Sequence, residues 1–218
     1  MSLILSGSDG VSDIDGSAST PAIRGTDANT GIFFGTDVIG FSEGGVQSGE
    51  FNASGNLKLT GNLSVGGATP ATSGSGITFP ATASASSDAN TLDDYEEGTW
   101  TGTIKGVTTD PTTPVTATGN YTKIGRFVFA RIAYSSITTT GASGDFYVSG
   151  LPFTALDACA TGNVMTYSIA TFSGSNLSPY VSGANVFLYY MSSNGIWAPA
   201  AHNAGTARYL DLSVTYQV

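Results

Sequence analysis

A single cysteine, Cys159, and a single histidine, His202, stand in a chain of 218 residues. One thiol excludes a framework of intrachain disulfides, and a cysteine or serine nucleophile would have to recruit that one imidazole as its base. No segment near Cys159 or any serine reads as a nucleophile elbow. Cys159 is therefore expected as a small, buried or half-buried thiol. Charge is scarce as well, at 11% of residues, with 7 Lys and Arg against 16 Asp and Glu. Only Lys123, Arg126 and Arg131 approach a basic cluster, and they read as a solvated strand edge, so nucleic acid is not an expected partner. Apolar runs of membrane-spanning length are missing, and MSLILSGSDG at the start has no basic stretch before its short apolar piece. Neither membrane insertion nor a signal peptide is expected. A helical period with caps over three turns is also absent, which excludes the helical classes.

What the chain has is glycine, 29 residues of it, set among Ser, Thr, Asn and Asp, with an ordinary hydrophobic fraction of 40%. That combination fits an all-β protein better than disorder. From Met1 to about Gly67, short apolar pieces (Leu3 to Leu5, Ile32 to Phe34, Val38-Ile39, Leu57 to Leu59, Leu63 to Val65) are separated by Asp-Gly and Gly-Asn turns. These are expected to be short strands with too little apolar area for a core of their own. Gly55-Asn-Leu57 and Gly61-Asn-Leu63 read as a hairpin with its turn at Gly61-Asn62, or as a short intertwined shaft. Strands are expected at 99–105, 126–134, 145–149, 163–172, 185–191 and 209–218. In the first, Trp100, Gly102 and Ile104 face inward and three threonines outward. In the last, Leu210, Leu212, Val214, Tyr216 and Val218 share one face. Phe127 and Phe129 alternate with Val128, Ala130, Ile132 and Tyr134, the pattern of a central strand covered on both faces. Gly119-Asn120 and Pro179 read as breakers. The fold class is all-β: an intertwined short-strand region at 1–82, an acidic linker at 83–98, and a β-sandwich or jelly roll at 99–218.

The linker divides the charge. Up to Gly98, twelve acids face Arg24 and Lys58, giving −10; beyond it, four acids face five bases, giving +1. Asp93, Asp94, Glu96 and Glu97 form a cluster expected in solvent, while Leu92, Tyr95 and Trp100 are placed to dock the linker onto the C-terminal domain.

The run ITFPATASASSDANTLDDYEEGTWTGTI, Ile77 to Ile104, resembles a junction of fibre and other structural proteins of tailed bacteriophages, where it precedes a small β domain. MSLILSGSDGVSDIDGSASTPAIRGTDANTGIFF, Met1 to Phe34, and SGNLKLTGNLSVGG, Ser54 to Gly67, are similar to phage fibre segments. The resemblance covers most of the first half and nothing beyond about Val107. It implies a virion protein made in the host cytoplasm, threefold assembly of identical chains, and contact with other virion proteins through the N-terminal half. A tail fibre or receptor-binding protein displaying its β domain to the host surface is the implied role, with a decoration or cement protein of the phage head as the alternative.

Three sets of residues bear on chemistry. Two carboxyls flanking a sugar bond would serve a polysaccharide-degrading spike, but the acids at 93–97 sit in a linker where nothing raises one pKa, so no enzyme activity and no cofactor are expected. Asp9, Asp13 and Asp15 suit a hard cation in residue type and not in spacing, and Asx turns are the preferred reading. Among the aromatics, Tyr180 and Trp197 sit in loop-like contexts, as does His202. These three are candidate contacts with a host glycan, a host protein or another partner.

Overall fold

The computed structural model describes residues 14–82, 87, 91–92 and 94–218. The chain divides into two compact units, Met1–Thr82 and Ala83–Val218, and every described element is a strand or a turn. The expected pieces Leu3 to Leu5, and Asp9 and Asp13, lie outside the described residues.

In the first unit, β1 (Ile23–Arg24), β2 (Gly31–Gly35), β3 (Val38–Glu43), β4 (Val46–Phe51) and β5 (Leu57–Leu59) form an antiparallel meander in chain order. Gly44 and Gly45, both with positive φ (58° and 82°), form the two-residue loop between β3 and β4, as a twisted hairpin requires. Between β4 and β5, the Asn52 side-chain carbonyl accepts from the Ser54 and Asn56 amides at 3.0 and 3.1 Å. Short β6 (Leu63–Ser64) and β7 (Ile77–Thr78) then pair in parallel. The hairpin expected at Gly61-Asn62 does not form. Thr60 is bonded back to Ser48, and the Asn62 amide donates to the Ala71 carbonyl, so the chain leaves β5 in another direction. Of the large hydrophobic side chains described in this unit, only Phe33 is buried; Ile23, Ile39, Val46, Phe51, Leu57 and Leu59 are exposed.

The second unit contains β8 (Tyr95–Gly106), β9 (Thr116–Ile124), β10 (Phe127–Ile137), β11 (Phe146–Ser149), β12 (Cys159–Ala160), β13 (Asn163–Tyr167), β14 (Ala170–Thr171), β15 (Ser175–Ser182), β16 (Asn185–Met191), β17 (Trp197–Pro199), β18 (Ala201–His202) and β19 (Arg208–Gln217). One antiparallel sheet runs β12-β15-β16-β11-β8-β9-β10-β19-β13, with β17 also on β16; β14 and β18 form a separate pair. The sheet curls, because β13 at one edge lies against β15 near the other. A single rolled sheet thus stands where two stacked sheets were expected. Its concave face carries the core, built from alternate residues of each strand: Trp100, Ile104, Val128, Ile132, Val186, Leu188, Leu210, Leu212 and their neighbours. Burying such a side chain fully is worth about 1.5–3 kcal/mol, so this unit can outweigh its chain entropy, whereas the described residues of the first bury one large ring.

The convex face differs from expectation on β10. Phe127 and Phe129 are 46% and 49% exposed, so the strand is covered on one face only. Nor are Gly119-Asn120 and Pro179 breakers; they lie within β9 and β15. Gly119 is opposite Trp100 in register, and a Cβ there would meet the indole nitrogen at 2.5 Å. The glycine is a seat for the ring. Gly98 receives Tyr121 in the same way, and in the first unit Gly40 receives Phe33.

Candidate functional site

The end of the acidic linker is part of the folded unit, since β8 begins at Tyr95 and pairs with β9 as far as Ile124. Asp94 is buried and ion-paired with Lys123, whose ammonium also lies 5.7 Å from the Phe153 ring centroid. Glu96 accepts from the Tyr121 hydroxyl and Glu97 from Tyr95. The bond to Glu96 pushes the Tyr121 phenol up to about 12, with burial adding to it. This cluster is therefore not a solvated run of like charges: each described member has a partner supplied by β8 or β9. Asp93 lies outside the described residues. Of the three docking residues, Trp100 is in the core, while Leu92 and Tyr95 are 57% and 40% exposed.

The contact candidates separate. Tyr180 is in β15, not in a loop, and points to the convex face opposite Phe187 of β16. Tyr147 of β11 stacks on Phe187 from the other side, with centroids 5.1 Å apart and an interplanar angle of 24°. Tyr189 lies 5.1 Å from Tyr180, and Trp197, paired in register with Met191, extends this aromatic ladder with a ring more than half exposed. Tyr180 and Trp197 thus belong to one half-exposed face. His202 does not join them. It is buried in β18 against the Phe146 ring at 5.2 Å, and neither ring nitrogen has a hydrogen-bond partner. Burial, with a smaller effect from Arg208, lowers its pKa to about 4, so the imidazole is neutral and inaccessible.

A second surface was not foreseen. On the convex face of β13 and β19, Met165, Tyr167 and Tyr209 are 73%, 63% and 40% exposed. The two tyrosine rings meet edge to face at 5.8 Å. They wall a groove of about 730 Å³ whose lining includes Ala133 and Ser135 of β10. At its end Arg131 holds Asp211 through two bonds, Nε at 3.3 Å and Nη2 at 2.8 Å, which keeps the carboxyl below its ordinary range. The groove exists because β10 carries small residues where β13 and β19 carry large ones. The signal in the sequence was parity: Tyr209 falls on the polar side of the alternation through Leu210, Leu212 and Val214. Among the described residues no cluster of His, Cys, Asp and Glu could hold a metal ion. Compared with known proteins, the chain matches no family model and none of the curated proteins.

Proposed function

We propose that the protein is a structural protein of a tailed-phage virion, a homotrimer that displays its curled-sheet domain for attachment to the host surface. The observation that carries the reading is how little the described residues of the first unit bury: eight large hydrophobic side chains are exposed and only Phe33 is buried, in the segment whose sequence resembles phage fibres. Such a unit gains its core from other copies. The convex strip of Ile124, Phe127 and Phe129, each more than 40% exposed, offers the second unit a surface against a second copy too. Multivalent display then converts weak contacts into firm attachment through effective concentration. Contact with the host would run through the aromatic ladder of Tyr180, Phe187, Tyr189 and Trp197. A decoration protein seated on the head is the alternative. Light scattering tests the assembly: a trimer is expected, and a well-folded monomer at micromolar concentration ends the reading. Labelling the protein in intact virions tests the location, with tail label expected and label confined to the head defeating the attachment role.

A further inference from the structure

We propose that the groove walled by Tyr167, Tyr209 and Met165 and closed by the Arg131–Asp211 pair is a binding site for an uncharged oligosaccharide. Its size falls within the range of small-ligand sites, about 300–1,000 Å³, in which apolar and aromatic walls surround a few polar groups. The chemistry of the lining selects the ligand class. Exposed tyrosine rings present faces on which the CH side of a sugar ring stacks, and their hydroxyls remain available to solvent-side partners. Asp211 lines the groove and Arg131 the adjoining hollow that shares Asp211 and Met165 with it; 38% and 70% exposed as side chains, they retain acceptor and donor capacity beyond their mutual bonds. That suits pairs of neighbouring hydroxyls through charge-assisted hydrogen bonds. The two charges cancel, so the groove holds no net charge to attract a phosphate or a sulfated or carboxylated chain.

A second observation concerns the backbone. Of the five non-glycine residues with positive φ among the described residues, three stand around this groove: Ser136 (52°) beside Ser135, Ser168 (55°) beside Tyr167, and Ala207 (53°) in the lining itself. Left-handed backbone at such residues costs roughly 1–3 kcal/mol each and collects where surrounding structure holds a functional shape. Ser136 stands at the bulge within β10, Ser168 just after β13 and Ala207 just before β19, the three strands that make the groove.

The site adds to the attachment reading without depending on it, since binding by the purified protein would hold wherever the protein sits. The test is the full chain on an array of immobilised neutral and acidic oligosaccharides, followed by titration of the neutral ones retained. Retention of at least one neutral oligosaccharide is expected, weakened tenfold or more by Tyr209→Ala and by Tyr167→Ala. Ala133→Trp, an exposed position that fills the groove without touching the core, is expected to abolish it. Absence of any neutral ligand, preference for acidic chains, or binding that survives Ala133→Trp in a folded protein overturns the site. So does dissociation of the oligomer by Tyr209→Ala, which would assign the groove to contact between copies. Binding to host envelope polysaccharide, tested in parallel, distinguishes a surface polymer from a soluble sugar as the source.

Discussion

A buried histidine and a buried ion pair set how the second unit responds to pH and to substitution. His202 is neutral in the fold with its pKa lowered to about 4, against about 6.5 in an unfolded chain. Between those values the unfolded state binds more protons, so stability is fully present above about pH 6.5 and falls as pH drops toward 4. The loss is at most about 3 kcal/mol for this group. Urea titrations at pH 7 and 4.5 should show the fall, and His202→Leu should remove most of it. Because both ring nitrogens lack partners, that variant is expected to be close to neutral at pH 7. Asp94 and Lys123 behave differently, since each leaves the other buried when removed. Asp94→Ala should cost about 3 kcal/mol, whereas replacing both by Leu and Met should restore most of it. Equal losses in the single and double variants would mean that the pair acts through packing alone.

At the scale of strands, the β8–β9 hairpin decides where the second unit starts. A fragment from Thr91 keeps Asp94 and the whole of β8; one from Thr99 loses four paired residues and the partner of Lys123. The longer fragment should fold with the midpoint of the intact unit, and the shorter one should unfold at markedly lower urea. Alternation made β8 and β19 legible in the sequence, because one buried face leaves a period of two, whereas β10 was legible as a strand but misread as covered on both faces, since Phe127 and Phe129 put apolar rings on its open side. Where the period failed, a specific contact had replaced a side chain. β9 was hidden by Gly119, which reads as a turn until Trp100 is seen above it, and β15 by Pro179. The groove was hidden differently, since Tyr167 and Tyr209 meet across strands separated by 42 positions in the chain and no local pattern records that. Gly119→Val should cost roughly 3 kcal/mol, as the added carbons meet Trp100 and the Arg131 carbonyl. Gly61→Ala, with open space around it, should stay within about 0.5 kcal/mol.

For the molecule as a whole, the contrast between one buried ring among the described residues of the first unit and a full core in the second predicts unequal independence. Expressed alone, residues 91–218 should give a cooperative unfolding transition, while residues 1–82 should do so only as an oligomer whose midpoint rises with concentration. A concentration-independent transition for the first unit would remove the need for other copies. Neighbouring strands of a hairpin can join out of step, and the rings seated on glycines bear on it. A slip of two residues keeps every side chain on its proper face, so the hydrophobic pattern alone does not reject it. It would, however, set Trp100 over Ala117 or Tyr121, and Phe33 over Val38 or Ser42, in place of Gly119 and Gly40. Only one alignment gives each bulky ring an empty notch. The Gly–aromatic pairs therefore work as a key and lock for alignment, because a shifted ring meets a side chain where the observed register leaves a notch.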